Sequence, residues 1–143
     1  MKMMKSIATE LIAPCGVNCF NCYAYLRHKN NCSGCRSDGI NKPKHCINCS
    51  RNACVQGKGL KYCFECSKYP CIKIKNLHTT YKERYSIDLH RNGEIIRNKG
   101  VRAFLDIERE KWTCQTCGGV VCQHDSICSD CRNIAKSDSY CIK

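Results

Sequence analysis

The feature that most constrains this chain is the crowding of cysteine between Cys15 and Cys71. Eleven of the protein's 17 cysteines fall in that stretch, several as Cys-x-x-Cys pairs. A Cys-x-x-Cys turn aims two thiolates at one point, and two such turns complete a tetrahedral site for Zn²⁺ or iron. Disulfides are the competing use of clustered cysteines, and compartment separates the two. The opening residues MKMMKSIATELIAPCG are interrupted by Lys2, Lys5, Thr9 and Glu10, so they offer no apolar core for a signal peptide. No segment approaches the ~18 apolar residues of a membrane span. A cytoplasmic location is therefore expected, and in a reducing pool grouped thiols are metal ligands. Metal is also needed on physical grounds. With three Phe, one Trp and seven Tyr in 143 residues, a core this thin would struggle to offset chain entropy alone.

The spacing suggests how the ligands divide. Cys15, Cys19 and Cys22 form Cys-x-x-x-Cys-x-x-Cys, a spacing used in radical SAM chemistry, but that chemistry needs a barrel far longer than this chain. They read instead as a ligand cluster. Cys19, Cys22, Cys32 and Cys35 make one four-cysteine site, and Cys54, Cys63, Cys66 and Cys71 a second. Cys15, Cys46 and Cys49 remain, with His45 as a fourth candidate. Bridging thiolates or another partition fit the spacing equally well. Cys63-Phe-Glu-Cys66 lacks the βαβ pattern of a redox dithiol, and Gly57-Lys58-Gly59 lacks the spacing of a phosphate loop.

Residues 1–14 read as a frayed end leading into an extended piece through Leu11, Ile12 and Ala13, with Pro14 keeping helix away from Ala13. A short helix is expected within Asn21 to Lys29, and a loop from Ser37 to Pro43. Residues 72–111 contain no cysteine. Ile74, Leu77 and Tyr81 recur at helical spacing, with Tyr85 one turn on. Ser86 reads as an N-cap for the next helix, with Asn92-Gly93 a soft point inside it. After Gly100 a further helix places Val101, Phe104, Leu105 and Glu108 on a common side. His78 and His90 read as solvated.

The C-terminal motif WTCQTCGGVVCQHDSICSDC is a zinc ribbon by its spacing. Cys114 and Cys117 form a knuckle whose glycines let amides approach sulfur, Val120 and Val121 start a short return strand, and Cys128 and Cys131 supply the second knuckle. Cys122 and His124 read as bystanders. Cys141, in a polar tail, has no spaced partner. The chain thus reads as a small metal-stabilised α+β protein: a Cys-rich module over 11–71, a helical segment over 72–111 packed on it, a ribbon over 112–132 and a flexible tail over 133–143.

Taken together, PCGVNCFNC, CSGCR, GLKYCFECSKYPC and the terminal cysteine motif resemble a family of small cysteine-rich proteins of anaerobic bacteria and archaea, domain of unknown function 3795. The resemblance implies a cytosolic, zinc-binding protein and no particular reaction. The extra cysteines at 46, 122 and 141 depart from that pattern.

Three functional readings follow. The first is a zinc module acting through a protein partner, with three or more Zn²⁺ sites. Closed four-thiolate sites do not activate water, and the sequence holds no credible acid–base set for an enzyme. The second is an iron–sulfur protein for electron transfer or redox sensing, its cluster on the N-terminal cysteines, although the two-cluster ferredoxin run is missing. The third is nucleic-acid binding by the basic residues of 27–75, with Tyr23, Tyr25, Tyr62 and Tyr69 stacking. The formal charge of +12 invites the third, but each four-thiolate Zn²⁺ site removes about two charges, so three would leave about +6.

Overall fold

Helices carry nearly all the regular structure of the computed structural model, which describes residues 1–37, 41–47 and 49–134, without the His45 side chain. The ligand role considered for His45, Cys141 with the tail from residue 135, and residues 38–40 of the Ser37–Pro43 loop lie outside the described residues. The helices are α1 (Tyr23–Leu26), α2 (Lys44–Ile47), α3 (Ser50–Gly57), α4 (Ile72–Tyr85), α5 (Leu89–Lys99) and α6 (Val101–Lys111), with 3₁₀ turns at Thr9–Leu11 and Cys63–Glu65.

The β component of the expected α+β fold is reduced, among the described residues, to isolated antiparallel bridges. Thr113 pairs with Val120, Val121 with Cys128, and Ile127 with Ile134. The return strand expected at Val120 and Val121 is therefore two single bridges to different partners. The physical reason is length: a turn closed by the Ser126 amide on the Cys122 carbonyl splits the ten residues between Cys117 and Cys128, leaving arms shorter than the usual strand of about 5–6.

Residues 1–3 are not frayed. Lys2 pairs with Gly119, the Met3 amide donates to the Gly118 carbonyl at 2.9 Å and the Val120 amide to the Met1 carbonyl at 2.9 Å. Lys2 Nζ adds an ion pair to Asp130 at 2.6 Å. The chain's first residues thus form the edge of its C-terminal motif, a pairing across more than a hundred residues that no local pattern announces.

α4 follows its periodicity, with Ile74 buried and Leu77, Tyr81 and Tyr85 packed against the core. Ser86 ends α4 instead of opening α5. Its φ of 56° is left-handed and its amide closes the last turn onto Lys82, a backbone that cannot serve as an N-cap. That role falls to Asp88, whose Oδ1 accepts from the Arg91 amide at 3.0 Å. Asn92-Gly93 is the opposite of a soft point. Both are buried, Asn92 Nδ2 donates to the Gly16 carbonyl at 3.0 Å, and a Cβ on Gly93 would stand 3.3 Å from the Tyr69 hydroxyl. The missing side chain lets α5 sit close against the Cys63–Cys71 segment. α6 buries Phe104, Leu105 and Glu108, as the sequence predicts, and packs against α5.

One core joins these parts. Ile12, Phe20, Leu89, Phe104, Trp112 and Val120 share it, so the N-terminal loop, the helical middle and the C-terminal motif are a single packed unit. A smaller cluster of Val55, Cys63 and Ile74 lies between α3 and α4.

Candidate metal centre

Four sulfurs converge at the C-terminal motif. The ligand atoms of Cys114, Cys117, Cys128 and Cys131 all lie within 4.8 Å of one another, with Cys114 Sγ 3.8 Å from Cys131 Sγ and Cys117 Sγ 3.5 Å from Cys128 Sγ. The turns build this locally. The Gly118 amide closes back onto the Cys114 carbonyl at 2.9 Å and the Cys114 amide donates to the Gly119 carbonyl at 2.8 Å. Gly118 adopts a φ of 76°, which glycine takes without steric cost. Two amides then face sulfur: Gly119 N–H to Cys117 at 3.3 Å and Asp130 N–H to Cys128 at 3.4 Å.

The electrostatics suit a cation. Burial opposes ionisation of Cys114, yet the amides of Cys117 and Thr116 and the thiols of Cys131 and Cys128 hold it down at about 6. Cys117 is lowered in the same way, by the Gly119 amide and the Cys128 and Cys131 thiols working against desolvation. Cys131 moves the other way, to about 11. The Asn133 amide would lower it, but desolvation and the three neighbouring thiols prevail. Cys114 and Cys117 ionise readily while Cys131 resists adding like charge, and a bound cation relieves that repulsion. This cluster could hold a metal ion.

The other predicted ligands form two neighbourhoods. In the first, the Cys35 amide donates to Cys19 Sγ at 3.3 Å and the Gly34 amide to Cys32 Sγ at 3.4 Å. Cys35 is raised chiefly by the Cys19 thiol and exchanges a thiol contact with Cys46. Cys22 is raised by burial, with Cys46 and Cys32 adding to it. In the second, burial pushes Cys63 to about 12, and Cys15, Cys71 and Cys54 add to the shift. Cys15 is likewise raised by burial, with Cys49 nearby. Cys66 sits at the rim, where the Lys68 amide and then the Lys58 ammonium, 3.2 Å from its sulfur, lower it. Cys46 thus accompanies the first expected set and Cys15 the second. Among the described residues no three of these eleven bring their sulfurs within 4.8 Å of one another.

Several residues that matter to this arrangement were not predicted as site residues. His124 is wedged among Tyr23, Tyr81 and Tyr85. Its Nδ1 accepts from the Tyr23 amide at 3.3 Å, which leaves Nε2–H to donate to the Tyr81 hydroxyl oxygen at 3.3 Å. It therefore ties the C-terminal motif to α1 and α4, next to Cys22. Gln123 donates to the Asn18 carbonyl at 2.6 Å, and Asn18 donates to the buried Glu108 carboxyl. Cys122 is buried and outside the four-sulfur group. His78 and His90, expected in solvent, stack with ring centroids 3.8 Å apart. No pattern in the sequence signals these pairings, because each joins segments far apart in the chain.

Residues 11–76 match the model of a family described as protein of unknown function (DUF3795). The likeness carried by PCGVNCFNC, CSGCR and GLKYCFECSKYPC falls within that span. The match ends before the C-terminal thiols, so the likeness drawn through WTCQTCGGVVCQHDSICSDC is not part of it. No curated protein and no solved structure gives a significant match to this chain.

Proposed function

We propose that this chain is a zinc-binding structural and interaction module of the cytoplasm, held together by metal and acting through a protein partner. The observation that carries the reading is the spacing of the C-terminal sulfurs. A tetrahedral Zn²⁺ with bonds of about 2.3 Å needs sulfurs about 3.8 Å apart, and two of the pairs stand at 3.8 and 3.5 Å. Four thiolates close the coordination sphere, so the ion organises structure and leaves no position for a substrate or an activated water. The centre is packed on the same core as α5 and α6, and its metal would stabilise the whole unit. The N-terminal cysteines are further metal ligands in this reading.

A protein partner is favoured over nucleic acid because basic residues of 27–75 already serve the chain itself. Arg27 donates to the Asn30 and Asn41 carbonyls, Arg36 to those of Ile12 and Lys61, and Lys42 to that of Cys35. Tyr62, a candidate stacking residue, is buried under Arg36. Among the described residues no helix is long and apolar enough to cross a membrane.

The test is metal analysis of the full chain and its variants. Cys114→Ser and Cys128→Ser should each lose about one zinc per chain and melt at lower temperature. Cys122→Ala should keep the full zinc content. Undiminished zinc with unchanged melting in both serine variants would overturn the assignment.

A further inference from the structure

A cavity of about 170 Å³ lies between α3, the Cys63–Glu65 turn and the start of α4, and Cys54, Cys63, Cys66 and Cys71 all line it. We propose that these four thiols hold a cubane iron–sulfur cluster and not a single ion. The inference goes beyond the zinc reading of the C-terminal centre and does not depend on it.

Nuclearity follows from the contrast between the two sites. A single tetrahedral ion needs its sulfurs gathered to about 3.8 Å, as at the C-terminal centre. Around the cavity no three sulfurs come within 4.8 Å of one another. All four residues line one space instead of meeting at a point. That space is several times the roughly 30 Å³ share of one water molecule, so one ion would leave most of it empty. An inorganic core of iron and sulfide fills the centre and takes one thiolate at each corner.

The surroundings fit the same occupant. Val55, Leu60, Tyr69 and Ile74 supply apolar lining, which shields a cluster from water, and soft thiolates are ligands that iron–sulfur cores accept. A cubane with four cysteinates carries net negative charge, and cations gather at the mouth. Lys58 Nζ is 3.2 Å from Cys66 Sγ, and Lys68 and Lys73 also line the cavity. Cys71 is the N-cap residue of the fourteen-residue helix α4, which sets it beside the first turn of that helix. The ligands come from α3, the turn, the loop after it and the α4 cap. Val55, Cys63 and Ile74 pack together with Leu60, Tyr69 and Cys71 against them, which fixes these segments around the cavity.

The experiment is iron, acid-labile sulfide and zinc analysis of the full chain, purified without oxygen and reconstituted with ferrous iron and sulfide. The expected result is about four iron and four sulfide per chain, broad visible absorption, and zinc at the C-terminal centre. Cys66→Ser and Cys71→Ser should lose the sulfide and keep that zinc, the retained zinc reporting an intact fold. Lys58→Met, an exposed change that removes a cation from Cys66, should keep the cluster and lower its midpoint potential. No acid-labile sulfide in the reconstituted chain would overturn the proposal. So would sulfide undiminished in both serine variants, which would place any cluster elsewhere. Loss of the zinc reading alone, with sulfide present and sensitive to Cys66 and Cys71, would leave this proposal standing.

Discussion

A Cβ on Gly119 would stand 2.8 Å from the sulfur of Cys128, and equally close to the Cβ of Asp130. It would also lie 3.2 Å from Cys117 Sγ. The residue is glycine because the sulfurs of Cys128 and Cys117 and the Cβ of Asp130 crowd the place of a side chain. Gly119→Ala should push the Cys117 and Cys128 sulfurs apart, costing on the order of 1–3 kcal/mol by overpacking and weakening metal retention against a chelator. Gly118→Ala is the control. It has open space around its Cβ and pays only for a left-handed backbone, about 1–2 kcal/mol, so its metal affinity should change less. Equal chelator resistance in the two variants would remove the steric argument.

Glu108 links α6 to the N-terminal loop, accepting from Asn18 Nδ2 and from Trp112 Nε1 at 3.4 Å. Burial raises its carboxyl above the ordinary value of 4.5, against the pull of Lys111, Trp112 and Asn18. The folded state therefore binds this proton more tightly than the unfolded chain does. The resulting stability is complete below the unfolded value and is lost as pH rises through the folded one. Glu108→Gln keeps an acceptor and removes the charge. Urea unfolding of both proteins across acid to neutral pH should show the variant gaining on the wild type as pH rises above about 4.5. A constant difference at every pH would contradict the raised carboxyl.

The His78 and His90 rings stack face to face, 2° from parallel, with His78 Nδ1 3.6 Å from Asp88 Oδ1. Burial and then the neighbouring His78 lower His90 from its ordinary 6.5, with Lys82 adding to this and Asp88 and Glu94 opposing it. Here the unfolded chain binds the proton more tightly. The stability is present above the unfolded value and is lost as pH falls through the folded one. His90→Phe preserves a ring against His78 and Tyr69 and cannot charge. Its thermal unfolding should depend less on pH than the wild type's between about pH 7 and 5. Identical pH dependence would mean that the stack does not couple the two rings.

What was legible in the sequence is what local chemistry dictates. The paired knuckles at Cys114, Cys117, Cys128 and Cys131 could be read directly, because short Cys-x-x-Cys turns aim their thiolates wherever they occur. The buried faces of α4 and α6 were legible for a similar reason: Ile74, Phe104 and Leu105 recur at the period of a helix. Even there, local signals competed: Ser86 ends α4 and Asp88 caps α5. Only the tertiary structure decided that residues 1–3 complete the C-terminal motif, that Asn92 and Gly93 seat α5 on the N-terminal loop and the Cys63–Cys71 segment, and that His124 joins that motif to α1 and α4. It also decided which of the first eleven cysteines stand near one another. Spacing along the chain limits how far apart two thiols can be, but whether several meet at a point or ring a cavity depends on how α3, α4 and the core pack between them.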